Sequence, residues 1–360
     1  MADIISIGTA TPEFCHKQSD ILAFMQAIYQ LNDEDKRKLK FLYDHSGINT
    51  RYSAVPDYGV ASPTRNFIPI AEGAAFPSLE QRMKVYELES IQLSVKAINQ
   101  CIQNHIAASA ITHLITVSCT GLSAPGLDLH LLNEMQLSPD IFRTSVNFMG
   151  CYAAIHAMKL AKMICDSTPM ANVVIVATEL CTLHFQKEYT ADNAASSLLF
   201  ADGAAAVLIS NCIASADSLK IRGFYAYVAQ KGKADMAWQV SSQGFLMTLS
   251  GYVPQLIGED VLSLVQSAVA NHALTLDDIT GWCIHPGGKR ILDIIQKQLE
   301  LPEKSLMHSR NILSKYGNMS SPTVLFVLKA MMEDNISNPA KIFGMAFGPG
   351  LTMETFIVEK

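Results

Sequence analysis

Apolar positions along the chain follow two periods in turn. Runs of nearly unbroken apolar, often β-branched residues, such as "HLITVS" and "NVVIVAT", alternate with longer stretches in which apolar residues recur every three or four positions, as in "KRILDIIQKQL". The first pattern predicts strands at 3–8, 112–119, 142–147, 172–178 and 203–210, then at 219–229, 279–285, 341–347 and 352–358. The second predicts helices at 18–31, 33–45, 87–105, 126–135, 150–165, 255–271, 288–299, 303–315 and 322–333. Such alternation implies a layered α/β architecture. Both halves run helix, strand, helix, strand in similar order without a repeat at residue level. The polar stretch "SNCIASADS" at 210–218 marks the boundary, dividing the chain into 1–214 and 215–360. Only 51–82, with its Pro, Gly and Ser, reads as a long loop excursion.

Composition narrows the class. With 360 residues, 49% of them hydrophobic, the chain can bury the core of two domains or of one large double-unit fold. No apolar run reaches the roughly 18 residues of a membrane span, and "MADIISIGTATPEF" lacks the basic and apolar regions of a leader. Cytoplasmic residence without membrane insertion is the expectation. A net charge of −6 argues against a nucleic-acid binder, so an anionic ligand must meet a local patch. The eight cysteines contain no CxxC pair and lie mostly in apolar runs, which argues against a disulfide framework or a zinc site.

Three residues at element junctions carry candidate chemistry. In "SVNFMGCYAAIHAMKLA" a strand-like run gives way to a small-residue helix, which places the Cys151 thiol in the first helical turn, with Gly150 supplying a turn that a side chain would obstruct. Lowering a thiol pKa from about 8.5 to about 6 raises the thiolate fraction at pH 7 roughly 30-fold, and a helix N-terminus or a histidine partner supplies such a shift. A buried, inert cysteine fits the same stretch. "TGWCIH" reads as a short strand with His285 at its end, and Pro286, Gly287 and Gly288 turn into an amphipathic helix. In "KYGNMSSPTVLF" Ser321 reads as a helix cap followed by Pro322 at the first helical position, which puts Asn318 in the loop just ahead. His285 and Asn318 each have a purely structural alternative. Together they form a set: a nucleophile in one half, and in the other a histidine that can hold an imidazolium against the thiolate and a neutral hydrogen-bond donor for developing negative charge.

The order and spacing of "FMGCYAAIHA", "HPGG", "YGNMSS" and "FGPGLTME" resemble the type III polyketide synthases, the chalcone-synthase-like branch of the thiolase superfamily, from "IGTATP" at 7–12 to the C-terminus. The resemblance implies a thiolase-like fold of two superposed αβαβα units forming a five-layered core, and a homodimer. It implies that Cys151 takes a starter acyl group from coenzyme A and carries the growing chain. His285 and Asn318 would bind the malonyl-CoA carbonyl and stabilise the enolate left by CO2, with His285 also keeping Cys151 ionised. The chain would be extended iteratively and cyclised to a pyrone, resorcinol or related aromatic product, with no metal and no cofactor beyond the coenzyme A thioesters.

Further positions follow from the resemblance. Phe185 and Met247 match the pair of gatekeeping residues between the coenzyme A tunnel and the cavity, and Cys119 and Ser320 match pocket-lining residues. Gly348, Pro349 and Gly350 match the loop that shapes the cavity floor. Lys38, Lys40 and Arg290 are the candidates for coenzyme A phosphates, although two family basic positions hold Phe41 and His45 here. Against "HPGG", the related ketoacyl synthase III enzymes typically carry glutamine and alanine after the histidine. A single-round condensing enzyme of that kind is the nearer alternative, and a papain-like cysteine hydrolase, which also orders Cys, His and Asn, the more distant one. The starter, the number of extensions, the mode of ring closure and delivery by a carrier protein are not encoded in any motif.

Overall fold

The computed structural model describes residues 2–59, 67–69, 74–232, 235–334 and 340–360, so 60–66 and 70–73 of the 51–82 excursion lie outside the described residues. In chain order the first half contains β1 (Asp3–Ala10), β2 (Phe14–Lys17), α1 (Gln18–Ile28), α2 (Asp33–Asp44), β3 (Thr50–Ser53), α3 (Leu79–Ile102), β4 (His113–Ser118), α4 (Leu127–Glu134), β5 (Phe142–Asn147), α5 (Ala153–Ser167), β6 (Asn172–Leu180), α6 (Ala191–Leu199) and β7 (Asp202–Ser210). The second contains β8 (Leu219–Val228), β9 (Met236–Ser241), β10 (Gly244–Leu249), α7 (Val253–Ala270), β11 (Gly281–Ile284), α8 (Lys289–Gln298), α9 (Met307–Tyr316), α10 (Thr323–Glu333), β12 (Lys341–Gly348) and β13 (Thr352–Glu359).

Nine strands are hydrogen-bonded in the order β11-β12-β13-β8-β1-β7-β6-β4-β5. The join between β1 and β8 rests on only two residue pairs, Asp3 with Lys220 and Ile4 with Leu219, so two sheets meet there edge to edge. Their pairing repeats. β4 lies parallel to β6, β6 antiparallel to β7 and β7 antiparallel to β1; likewise β11 lies parallel to β12, β12 antiparallel to β13 and β13 antiparallel to β8. Only β5, parallel to β4 at the outer edge, has no counterpart among the described residues.

The repeated sheets stack into five layers. α5 touches β4, β6 and β7 on one side and β8 and β13 on the other, while α10 touches β1 and β7 as well as β11 and β12. These two helices therefore fill the middle layer. Ala153, Ala154, Ala157 and Ala161, all buried, recur at helical spacing along α5 and allow close approach to the strands. α3 covers the far face of β1, β6 and β7. Ile257 and Val261 of α7 and Leu292 and Ile295 of α8 cover the far face of the second sheet.

Strand alternation assigns residues to these layers. Ala205, Val207 and Ile209 point into the middle core, Ala204, Ala206 and Leu208 into the outer one. In the second sheet Ile342 and Ala346 face the middle, Phe343, Met345 and Phe347 the outside. Burial on both faces explains why these strands read as unbroken apolar runs.

The differences from the sequence reading lie in short or solvent-facing elements. The antiparallel pair β2–β3, the hairpin β9–β10 and the helix α6 are absent from the sequence reading, and α3 starts at Leu79 rather than 87 because Ser78 and Gln81 form a capping box. Ser321 does not cap α10. Its hydroxyl donates instead to Glu179 Oε1 at 2.6 Å, and Thr323 Oγ1 receives the Met319 N–H at 2.9 Å.

Candidate active site

Cys151 stands in the turn between β5 and α5, two residues ahead of Ala153. Two positive φ angles make this turn, +57° at Phe148 and +84° at Gly150. The second requires glycine for a further reason, since a β-carbon at Gly150 would overlap Pro349 Cδ. The Gly150 N–H donates to the Cys119 sulfur at 3.0 Å, which ties the turn to the end of β4. The thiol is thus held against the Pro349 loop at the end of the second sheet.

His285 follows β11 directly. Its backbone N–H continues the ladder to Met345 O at 2.8 Å, and Gly287 N–H closes back on His285 O at 2.9 Å. Neither ring nitrogen has a hydrogen-bond partner, although both are buried. Asn318 is held in a bridge with Phe200: its N–H donates to Leu199 O, and its C=O receives Ala201 N–H, each at 2.9 Å. Ser320 N–H fixes the amide orientation by donating to Asn318 Oδ1 at 2.8 Å, and Nδ2 approaches Gly287 O at 3.4 Å. Nδ2 therefore keeps a donor for the cavity.

Cys151, His285 and Asn318 line one cavity together with Cys119, Ser320, Met247 and Pro349. Its free space is about 50 Å³. At Leu249, Gly287 and Ile291 it meets an open groove of about 530 Å³ that runs past Phe41, His45 and Arg290. The groove is the larger space and the chemistry sits behind it, as for a long ligand that enters with its reactive end first.

Several residues named from sequence are placed elsewhere. Phe185 does not line the Cys151 cavity; it packs among the rings of Phe24, Tyr29, Tyr58 and Phe76 and faces a neighbouring pocket. Phe200 stands beside the cavity with Met247 instead. Lys38 and Lys40 do not line the groove: Lys38 pairs with Glu34 at 2.8 Å and Asp35 at 3.4 Å, and Lys40 with Asp44 at 2.6 Å. The groove side of α2 presents Phe41 and Leu42, with His45 at its end stacked on Phe41 at 4.1 Å between ring centroids. Gly348 accepts the Tyr152 ring where a β-carbon would clash, and Gly350 takes φ +75°, so both shape the loop without lining the cavity themselves. Cys181, Phe200 and Trp238 line the cavity and were missed. The alternation of β9 gives no sign that the Trp238 indole faces a cavity.

Burial dominates the electrostatics. It pushes the Cys151 thiol up to about 11, opposed by hydrogen bonds from the Ser320 and Asn318 side chains. It pushes His285 down to about 3. Burial thus works against the expected thiolate–imidazolium pair, favouring the neutral form of each group. Behind them Glu179 is fully buried, and its carboxyl is raised to about 7 by burial despite contacts from Ser321, Cys119 and Thr120. It accepts from Cys119 N–H at 2.9 Å, Thr120 Oγ1 at 2.8 Å and Ser321 Oγ at 2.6 Å, joining the loop after β4 to the loop after Asn318.

Residues 1–212 match the family model of chalcone and stilbene synthases, N-terminal domain, and residues 226–360 match that of the C-terminal domain. A chalcone-synthase-like protein of Bacillus subtilis (strain 168) is 30% identical over 99% of this chain and 98% of its own. Type III polyketide synthase C of Arabidopsis thaliana is 28% identical over 99% of this chain and 95% of its own. The crystal structure of PKS-I from the brown alga Ectocarpus siliculosus superposes with a TM-score of 0.90 at 26% identity, covering 100% of this chain and 98% of that one. Likeness across the whole length, over the five layers described above, defines a condensing enzyme with a thiolase-like fold. More narrowly, the chain belongs to the chalcone and stilbene synthase family, and it is an acyltransferase of the type III polyketide synthase kind.

Proposed function

We propose that Cys151 accepts an acyl group from a coenzyme A thioester, and that the enzyme extends it iteratively with malonyl-CoA and cyclises the product. The observation that carries this reading is the convergence of Cys151, His285 and Asn318, from three separate turns, on one largely apolar cavity. In the loading step the neutral imidazole of His285 takes the thiol proton as the sulfur attacks the thioester carbonyl, and coenzyme A leaves as its thiol. The buried imidazole has two unpartnered nitrogens, so it can receive that proton and also present an N–H.

For extension, an N–H of His285 and Asn318 Nδ2 hold the malonyl thioester oxygen. Loss of CO2 leaves the electron pair as an enolate on that oxygen, where both donors strengthen. The enolate carbon then attacks the Cys151 thioester, a C–C bond forms, and the thiolate departs. The lengthened chain, now on coenzyme A, reloads for the next round. Arg290, which lines the groove, is the cation best placed for coenzyme A phosphates, while Lys38 and Lys40 act only at longer range.

The proposed division into 1–214 and 215–360, supported by the repeated strand pairing, would put the nucleophile in one unit and the His and Asn in the other. A homodimer is supported by β5, an edge strand whose Phe142 is 71% exposed and whose outer backbone groups are open to a second copy. No helix among the described residues is long and apolar enough to cross a membrane. The single-round alternative draws support from the free space of about 50 Å³ around the thiol. Incubation with labelled malonyl-CoA and acyl-CoA starters from acetyl to long-chain, beside Cys151→Ala, separates the two. Cyclised tri- or tetraketides absent from the variant uphold the iterative reading. Products of one extension replace it with the single-round one, and untouched malonyl-CoA contradicts both.

A further inference from the structure

A second pocket of about 50 Å³ adjoins the Cys151 cavity, separated from it by Cys181, Phe200, Trp238 and Met247, which line both. Its lining holds two buried basic side chains that the chemistry above does not use. Arg51 is 3% exposed; its Nε donates to Gln18 Oε1 at 2.9 Å and its Nη1 to Phe200 O, while Nη2 has no hydrogen-bond partner. His16 is 9% exposed and its Nε2 is likewise unpartnered.

The Tyr43 hydroxyl interacts with the Arg51 guanidinium, but no hydroxyl among the described residues makes a hydrogen bond of good geometry to Nη2 or to His16 Nε2. Ser53 and Thr182 bond each other at 2.8 Å, Tyr58 donates to Thr182 O at 2.6 Å, and Tyr43 donates to Ser197 O at 3.3 Å. The buried Asp202 carboxylate acts on Arg51 electrostatically, but its oxygens are taken by Thr182 N–H at 2.8 Å, Thr182 Oγ1 at 2.6 Å and Ala54 N–H at 2.8 Å. A buried guanidinium with an unpartnered N–H is costly to keep even with a carboxylate at longer range, and an anionic ligand oxygen would offset that cost.

We infer that this pocket binds the negatively charged oxygen at the far end of the acyl chain, received by Arg51 Nη2 and His16 Nε2. The inference rests on the polyketide synthase reading and specifies the chain that reading leaves open. A water needs about 10–15 Å³ on this measure, so the space suits a carboxylate or an enolised ketone tip rather than an aromatic ring. Met247, unbranched and adaptable, forms part of the partition and can yield to a narrow chain. Two sources supply such an oxygen: a dicarboxylic starter, or the enolised β-diketone of a chain already extended.

The test uses the full-length enzyme with labelled malonyl-CoA and either succinyl-CoA or acetyl-CoA as starter. His16→Leu and Arg51→Gln are compared with the wild type, and thermal unfolding reports whether each is folded. A fall of about tenfold or more in kcat/KM for succinyl-CoA, with acetyl-CoA loading unchanged, assigns the pocket to a starter carboxylate. Shorter products from acetyl-CoA, with first-round CO2 release retained, assign it to the enolised chain. Folded His16→Leu enzyme with unchanged starter preference and product length overturns the inference, the pocket then holding water only. Failure of the wild type to release CO2 from malonyl-CoA would instead overturn the underlying polyketide synthase reading.

Discussion

Gly150 and Pro349 occupy adjoining turns from opposite sheets, and they approach so closely that a β-carbon on the glycine would overlap the proline ring. The contact locks the Cys151 turn to the loop that ends β12. Gly150→Ala therefore combines an overlap with a φ of +84° that disfavours any side chain. The substitution is expected to cost about 2 kcal/mol or more and to abolish acyl loading, measured by thermal unfolding and by labelled acyl-CoA. Wild-type stability and loading would contradict the lock.

Burial pushes the Cys151 thiol up to about 11. Its alkylation by iodoacetamide in the absence of substrate should rise about tenfold per pH unit from 7 to 10. A plateau beginning near pH 7 would indicate a standing thiolate–imidazolium pair and a different resting site.

Asn318 is placed by hydrogen bonds at both ends of its amide, so Asn318→Asp fits the same space while putting negative charge where the enolate forms. Malonyl-CoA decarboxylation should fall about 10²–10³-fold, with acyl transfer to Cys151 reduced far less. An equal loss in both half-reactions would argue that Asn318 acts on the thiol rather than on the enolate.

Glu179 has its carboxyl raised from 4.5 to about 7 in the folded chain. A group shifted in this direction stabilises the fold fully below the unfolded value, and the contribution disappears as pH rises through the folded one. The wild type should thus lose about 3 kcal/mol relative to Glu179→Gln between pH 4.5 and 7.5. Denaturant titrations across that interval measure the difference, and a flat or rising difference would place the carboxylate in a charged state throughout.

The sheet strands were legible because burial on both faces leaves them as apolar runs with little ambiguity. The strand at 142–147 matches β5 residue for residue, although its exposed edge residues gave the weakest pattern. The site's three junction residues were legible as well, because a Gly before Cys151, a strand end before His285 and a loop before Asn318 are local signals. What the sequence did not give away depends on side-chain direction and on distant partners. Phe185 follows the short turn after β6 and Phe200 ends α6, yet packing against Phe24 and Tyr58 turns the first away from the Cys151 cavity. Ser321 reads as a helix cap until Glu179, 142 residues earlier in the chain, takes its hydroxyl. Likewise, the ionisation of Cys151 follows from the depth of burial, which no local motif records.

Three thiols, Cys119, Cys151 and Cys181, open onto the same cavity, so the carrier can be assigned most directly by finding which one is acylated. The enzyme is mixed briefly with acyl-CoA and malonyl-CoA, quenched in acid, digested and analysed by peptide mass. The account predicts starter and extended acyl masses on the peptide containing Cys151, and none anywhere in Cys151→Ala. Acyl mass on the Cys119 or Cys181 peptide, persisting in that variant, would contradict it.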